Sequence, residues 1–385
     1  MKIDLFNVGN SQYKALDYFT ERLAEALERK GVEANIQPLN TGDPAGVINR
    51  VINDRPDVTL AFNGLLPDPK GRFLCDMINI PHIAWTVDSP AWFLPLKESP
   101  LSWATCIDRS YLDFFHGVGY DRTAFITQAC DIKLFDREPE EKVFDVTMLA
   151  SCIDIEDIEE TWEKEASPEM QRALNHAVDI SLRDPKVSFW QAFSEAIGIH
   201  RADQDVDFEI IIRRLRELEL YVTGKERLDF LKHMTSIPID VFGDRPEGKS
   251  WSYYLKGMEH IKIHPPVTYD EHLDVIAKSR ITLNNIAKMR EGGSERAFHA
   301  FALNTLSMST EGAYMREFYK DEESILFNRW GSWQKDQEKL KKALSDDAYR
   351  TRLIEAGREI TRKHHTWDNR AEELIPFVKK ITHTR

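Results

Sequence analysis

The stretch "MREGGSERAFHAFALNTLSMST", residues 289–310, decides the fold of the second half of this chain. Ser294 is a favourable N-cap, so we expect a helix from Glu295 to about Leu303. Asn304 follows where a helix end enters the left-handed region, which Asn tolerates better than most residues. The apolar run after it predicts a strand. A helix that turns directly into a buried strand is typical of an α/β domain.

Outside this joint, short apolar strands alternate with helical segments along most of the chain. Strand–helix alternation predicts parallel sheets with helices on both faces. We therefore predict an α/β protein with two Rossmann-like domains. The expected strands are "KIDLFNV" (2–8), "VTLAF" (58–62), "HIAWT" (82–86), "ATCI" (104–107), "AFITQA" (124–129), "FDVTMLAS" (144–151), "IDVFG" (239–243), "IKIH" (261–264), "ITLNN" (281–285), "TLSMS" (305–309) and "SILF" (324–327).

The polar segment "KLFDREPEEK" (133–142) contains a proline and predicts a linker. We expect an N-terminal domain over residues 1–135 and a second domain over 143–365. Residues 366–385 show a buried apolar stripe and predict a C-terminal helix. A long acidic stretch, about 152–236, lacks any strand signal and predicts a helical insertion in the second domain. It could cover a sheet edge, form a dimer contact or shape a substrate site.

Composition excludes several classes of function. The net charge of −13 argues against a general nucleic-acid-binding protein, which needs an excess of Lys and Arg. No apolar run approaches the roughly 20 residues of a membrane-spanning helix, and the N-terminus lacks an apolar signal core, so we expect a cytoplasmic protein. The four cysteines show no zinc-binding spacing. The oligomeric state is left open, and a homo-oligomer is compatible with the sequence.

The start of the helix at Glu295 is the first candidate binding site. Gly292 and Gly293 allow a ligand to approach the backbone, and the N–H groups from Ser294 onward favour a pyrophosphate. Arg296 is always charged and can bind two phosphate oxygens. Lys288 lies just before the glycines and adds a second cation.

His299 lies three residues after Arg296 and should share its face of the helix. The alternative interpretation of this segment is an ordinary capped helix with one surface arginine and one surface histidine. The residues by themselves favour neither interpretation.

In the first half, polar residues follow the predicted strands at their carboxyl ends, where ligands bind in parallel sheets. Asp88 lies between an aromatic strand and "SPAW" and is a candidate catalytic residue. A turn-capping role for Asp88 is the alternative. Asn10 follows the first strand and could line the same site. The "GNS" there is not the GxGxxG of nicotinamide-binding proteins, so no such cofactor is expected.

Five motifs, in order, resemble the glycosyltransferases with two Rossmann domains (the GT-B architecture), and most closely the CgeB-like, spore maturation protein group within the glycosyltransferase group 1-like families. The motifs cover most of the chain apart from the helical insertion. They are "IAWTVDSP" (83–90), "FDVTMLAS" (144–151), "SRITLN" (279–284), the segment 296–304 and "HTWDNR" (365–370).

The resemblance implies a glycosyltransferase that moves a sugar from a nucleotide-diphosphate sugar to an acceptor, with the donor bound by the second domain in a cleft. It implies that Glu291 contacts the sugar and that His299 stands where many relatives have a ribose-binding glutamate. It also implies that the C-terminal helix crosses back to the first domain. No metal is required in this architecture.

Two other functions stay open from the sequence. A non-catalytic sugar-nucleotide-binding or scaffolding protein is suggested by His299 in place of glutamate. A sugar-nucleotide epimerase also uses paired Rossmann domains, and we rank it last. The sequence identifies neither the sugar nor the acceptor, which could be a protein, a glycan or a small molecule.

Overall fold

The computed structural model describes residues 1–7, 9, 14–39, 42–204, 206–244, 248–287 and 289–383. The chain forms two compact units, which are described separately. The first unit contains Met1–Asp136 together with Arg362–Arg385, and the second contains Arg137–Thr361. Within the described residues, no helix combines the length and the apolar character needed to span a membrane.

The first unit is built on a six-stranded parallel sheet with the order β2-β1-β3-β4-β5-β6. Its strands are β1 (Lys2–Asn7), β2 (Glu33–Pro38), β3 (Val58–Phe62), β4 (His82–Thr86), β5 (Ser102–Cys106) and β6 (Thr123–Phe125). Its first helices are α1 (Ala15–Arg29), α2 (Pro44–Asn53), α3 (Leu74–Ile78) and α4 (Arg109–Gly117), with 3-10 turns at Pro90–Trp92, Leu94–Glu98 and Ile132–Asp136. Strands β3 and β4 are buried at every position, as expected inside a parallel sheet covered on both faces.

The second unit contains a second parallel sheet with the order β12-β11-β10-β7-β8-β9. Its strands are β7 (Phe144–Leu149), β8 (Ile239–Phe242), β9 (Ile261–His264), β10 (Ser279–Asn284), β11 (Leu306–Thr310) and β12 (Leu326–Asn328). The helices are α5 (Ile155–Glu165), α6 (Pro168–Arg183), α7 (Phe189–His200), α8 (Phe208–His233), α9 (Trp251–Tyr254), α10 (Tyr269–Ala277), α11 (Glu295–Ala302), α12 (Ala313–Phe318), α13 (Trp333–Ser345) and α14 (Asp347–His364), and α15 (Trp367–His383) follows in the first unit.

These two sheets confirm the predicted α/β fold with two Rossmann-like units. Each predicted strand is present, with ends that differ by up to four residues. Strand β2 was not predicted, because "EANIQP" is polar and only partly buried at the edge of its sheet.

Helices α5 to α8 form the predicted helical insertion, and α8 connects it to the second sheet. The buried stripe of α8 passes through Leu215, Glu219, Thr223, Arg227 and Leu231, which are four residues apart. Helix α8 packs on α5, α6 and α7, and Phe230 near its end shares a small cavity with residues of the sheet. Helix α8 therefore belongs to both the insertion and the α/β core.

The motif "HHTWDNR" attaches α15 to the first unit. The Trp367 ring packs 5.6 Å from Phe19 and 5.9 Å from both Phe62 and Trp85, measured between ring centroids. The backbone N–H of Trp367 also donates to the carbonyl oxygen of Cys130 at 3.0 Å. This motif acts here as a packing anchor of the C-terminal helix.

Candidate functional site

The helix predicted after the paired glycines is present as α11, with Ser294 in the N-cap position. Its side chain makes no capping hydrogen bond, and Ser294 is completely buried. Gly292 and Gly293 are buried as well. The expectation of a helix start laid open by its glycines is therefore corrected, because the protein's own residues cover it.

Two contacts explain why the loop before α11 is covered. The carbonyl oxygen of Arg290 lies so close to Gly312 that a Cβ at that glycine would come within 2.9 Å of it. The guanidinium of Arg290 donates to the carbonyl oxygen of Ser181 at the end of α6 and lies 5.9 Å from the Phe189 ring centroid. The loop is thus held between the turn after β11 and the helical insertion.

The loop that follows β7 is the point where the charged side chains of the second unit converge. Three consecutive carbonyl oxygens, from the last residue of β7 and the first two residues of this loop, accept hydrogen bonds from side chains on three different helices. The pairs are Arg296 Nη1 to Leu149 at 2.8 Å, Trp251 Nε1 to Ala150 at 2.8 Å and Arg227 Nη1 to Ser151 at 2.9 Å. The carboxyl end of the central strand β7 is therefore flanked by two guanidinium groups.

Arg227 is the residue of this site that the sequence analysis did not identify. It is 9% exposed, and its Nε donates to the side-chain oxygen of Asn285 at 3.2 Å. Burial, followed by the charge of Arg296, lowers the pKa of Arg227 from 12.5 to about 9. The two cations are thus close enough to repel each other in a poorly solvated place.

Few carboxylates compensate these two charges. Among the described residues, no carboxylate oxygen lies within 4 Å of the Arg227 guanidinium, and Arg296 has only Glu295 at 3.7 Å. A bound anion with several oxygens would provide the charge compensation and the hydrogen bonds that a desolvated arginine pair lacks. The arrangement is therefore a candidate anion site.

Only part of the predicted set of ligand-binding residues reaches the surface. Glu291 is partly exposed, and the Arg296 side chain retains 19% exposure. Lys288 and Asn10, both predicted to bind the ligand, lie outside the described residues.

His299 is completely buried, although we expected it beside Arg296 on a ligand-facing surface. Its ring lies 6.0 Å from Tyr269 and 6.2 Å from His272, between ring centroids. Burial, and to a lesser extent the Arg296 charge, lowers the pKa of His299 to about 3. The structure thus holds His299 as a neutral core residue.

Asp88 lies at the carboxyl end of β4 in the first unit and is partly exposed. Asn63, which follows β3, donates from Nδ2 to Asp88 Oδ2 at 2.8 Å and accepts the Val87 N–H at 3.0 Å. Asn63 has a φ of +59°, so a left-handed turn places its amide against the neighbouring strand end. The structure thus pairs the Asp88 carboxylate with an amide donor.

Arg227 carried a weak sequence signal that could have identified it. Its position is four residues before Leu231, on the buried stripe of α8. Charged residues on a buried helical stripe are rare unless they are paired or functional. Ser151, which accepts the hydrogen bond of Arg227, lies 76 residues away along the chain, so no local pattern indicates this partner.

Comparison with known proteins gives a sequence match for part of the chain and a structural match for its fold. Residues 216–376, which include Arg227 and the whole of α11, match a family model described as glycosyl transferase-like. No curated protein sequence matches the chain.

The fold of the whole chain is similar to that of solved glycosyltransferase structures. Sucrose-phosphate synthase of Thermosynechococcus elongatus has a TM-score of 0.54 at 9% identity, with 100% of both chains covered. AviGT4, a glycosyltransferase involved in avilamycin A biosynthesis, has a TM-score of 0.57 at 11% identity, covering 100% of this chain and 99% of the other. HepE of Anabaena, in complex with UDP-glucose, has a TM-score of 0.52 at 10% identity, again with 100% and 99% coverage.

The chain thus has the GT-B glycosyltransferase fold, and its residues 216–376 are glycosyl transferase-like in sequence. At these identities the structural likeness concerns the fold alone.

Proposed function

We propose that this protein is a glycosyltransferase that uses a nucleotide-diphosphate sugar as donor and an acceptor that is not yet identified. The observation that carries the proposal is the pair of guanidiniums of Arg227 and Arg296 at the carboxyl end of β7. Ligands of open parallel sheets bind at this end of the strands. The match of residues 216–376 to a glycosyl transferase-like family supports the same conclusion.

The chemistry that we propose for the arginine pair is stabilisation of the leaving diphosphate. When the bond from the anomeric carbon breaks, negative charge develops on the diphosphate, and fixed cations in a poorly solvated site favour that charge most strongly. Arg227 is held by Asn285 and the loop after β7, so it does not need to reorganise when the charge develops. A metal ion is not invoked, because the two guanidiniums supply positive charge.

We propose that the partly exposed Glu291 contacts the sugar and that Asp88 acts on the acceptor hydroxyl. A carboxylate can accept the proton that the acceptor loses as the new bond forms. The amide of Asn63 fixes the orientation of the Asp88 carboxylate. Both roles rest on the chemistry of these side chains and on the resemblance of their motifs.

A second candidate function is a non-catalytic sugar-nucleotide-binding protein on the same fold. The observation that favours it is the complete burial of His299, at the position where the resemblance implies a ribose-binding carboxylate. Such a protein would bind the donor without turning it over.

One experiment separates these functions. We expect UDP-, GDP- or dTDP-sugars to raise the melting temperature, and a coupled assay to detect steady release of the nucleoside diphosphate that continues in EDTA. Binding without release supports the non-catalytic alternative. If no nucleotide sugar shifts the melting temperature of the folded protein, the proposal is wrong.

Arg296→Ala tests whether the ligand occupies the proposed site. We expect the substitution to abolish the thermal shift. The matched control is Arg213→Ala, which removes an exposed arginine that pairs with Glu165 on the helical insertion and should leave the shift unchanged.

A further inference from the structure

Glu226 is a buried carboxyl group that the proposed transfer reaction does not use. It precedes Arg227 on α8 and is only 3% exposed. With Arg227, Asn284 and Thr310 it lines a cavity of about 10 Å³ at the carboxyl ends of the second sheet, room for about one water molecule. Its Oε2 has no hydrogen-bond partner among the described residues. A buried acidic group with an unsatisfied oxygen destabilises the folded protein, so its presence calls for a functional explanation.

The charges around Glu226 come from the same elements that form the anion site. Arg290, on the loop before α11, is its strongest charged neighbour, and Arg227 follows. Neither forms an ion pair with it within 4 Å among the described residues, and the Arg290 guanidinium is bonded to Ser181 instead. The positive charges of Arg290 and Arg227 thus act on the Glu226 carboxyl, although it forms a salt bridge with neither.

Protonation of Glu226 is favoured by its surroundings. Burial raises the pKa of the carboxyl, and this effect exceeds the opposing effects of Arg290, of the nearby polar side chains of Asn285 and Thr310, and of Arg227. The ionised carboxylate and a bound anion would compete for the same positive field. Ionisation of Glu226 therefore weakens anion binding, and a bound anion makes ionisation of Glu226 less favourable. The charge of Glu226 and the occupancy of the anion site are thus linked.

We propose that Glu226 determines donor affinity: a diphosphate held by Arg227 and Arg296 binds together with one proton, which Glu226 takes up. This inference rests on the proposed function, because it assigns the anion to the donor. The proton comes from solvent, and the ionised carboxylate becomes a neutral carboxylic acid in the complex. Donor binding then weakens as the pH rises.

Arg227, with a pKa of about 9, is already protonated at neutral pH and takes up no proton there. The neighbouring histidines and cysteine do not provide the same linkage at neutral pH either. The pKa of His299 is lowered to about 3 and that of His272 lies well below its ordinary value, both because of burial, so both rings stay neutral. Burial raises the pKa of the Cys152 thiol beside Arg227 to about 12, so it stays neutral as well. A single proton taken up near neutrality therefore points to Glu226.

The test is calorimetric titration of the full-length protein with UDP-glucose in buffers of different ionisation enthalpy, from about pH 5.5 to 8. The diphosphate of UDP-glucose does not change its protonation in this range, so any proton uptake belongs to the protein. We expect uptake that approaches one proton, with an affinity that falls by up to about tenfold per pH unit. The absence of uptake throughout this range would overturn the proposal.

Glu226→Gln gives a second, independent readout, because glutamine resembles the neutral acid and cannot ionise. We expect this variant to bind UDP-glucose with little pH dependence, and about tenfold more tightly than the natural protein at pH 8. A merely structural role for Glu226 predicts weaker binding instead, and that result contradicts the inference. The matched control is Glu209→Gln, which removes one charge from the exposed start of α8, about 25 Å along the helix, and should retain the natural pH dependence.

A parallel titration with sulfate keeps this inference distinct from the proposed function. If sulfate binds with proton uptake that Glu226→Gln abolishes, but UDP-glucose does not bind, the coupling is correct and the donor assignment is wrong. If UDP-glucose binds without proton uptake, the donor assignment stands and the role of Glu226 is refuted.

Discussion

Replacement of Arg227 by methionine tests the candidate anion site most directly. Methionine keeps an unbranched, flexible side chain of intermediate length but removes the guanidinium. The pKa of Arg227 is lowered from 12.5 to about 9 because burial and the Arg296 charge disfavour the cation in the free protein. An anion that binds between the two arginines relieves part of this cost, so its affinity should depend strongly on Arg227.

The expected loss of affinity follows from the hydrogen bonds that the guanidinium can give a diphosphate. Hydrogen bonds to charged groups contribute about 1.5–3 kcal/mol each, so we expect Arg227→Met to weaken UDP-glucose binding by about 10- to 150-fold. The free energy of unfolding without ligand should change by less than about 2 kcal/mol. The lost hydrogen bonds to Asn285 and Ser151 are offset by removal of a buried charge that Arg296 repels.

Isothermal titration calorimetry at constant salt measures the affinity, and urea unfolding measures the stability. Arg213→Met is the control on the same helix, since that arginine is exposed and pairs with Glu165; it should bind within about twofold of the natural protein. If Arg227→Met remains folded and binds UDP-glucose within about threefold of the natural affinity, the arginine pair is not the diphosphate site. A double substitution with Arg296→Met should be non-additive, because both cations bind one ligand.

Three further predictions concern the scaffold. Trp367→Ala should lower the free energy of unfolding by about 3–5 kcal/mol and speed proteolysis of α15, because a fully buried indole is lost; urea unfolding and limited trypsin digestion measure these effects. Gly243→Ala should cost about 3 kcal/mol in urea unfolding, because φ is +129° and a Cβ would lie 2.4 Å from the Ala150 carbonyl oxygen, whereas Gly117→Ala, with open space around it, should cost less than about 1 kcal/mol. The neutral His299 with a folded pKa of about 3 supports stability above pH 6.5 and loses it as the pH falls, so His299→Phe should reduce the stability difference between pH 7 and 5 by about 2 kcal/mol; an unchanged difference contradicts this assignment.

Much of the fold follows from local sequence patterns such as apolar periodicity and turn residues. Asn304 has a φ of +56°, as its position after the helix predicts, and α11 runs from Glu295 to Ala302. Strand β2 escaped prediction, because a half-exposed edge strand lacks a continuous apolar run. Ser294 was predicted correctly as the N-cap residue of α11, but its environment was not. Tertiary packing buries it and leaves its side chain without a capping hydrogen bond.

The sequence by itself determined the alternation of strands and helices, the helical insertion and the presence of Arg296 in a motif, because periodicity and turn residues are properties of neighbouring positions. Tertiary structure alone decided that His299 is sealed and that Arg227 joins Arg296 at the end of β7. Burial and electrostatic repulsion depend on distances in space, and the chain brings together residues that are far apart in its sequence. The same folding brings the buried Glu226 under the influence of the charges of Arg290 and Arg227, and no local sequence pattern predicts the effect on its carboxyl group.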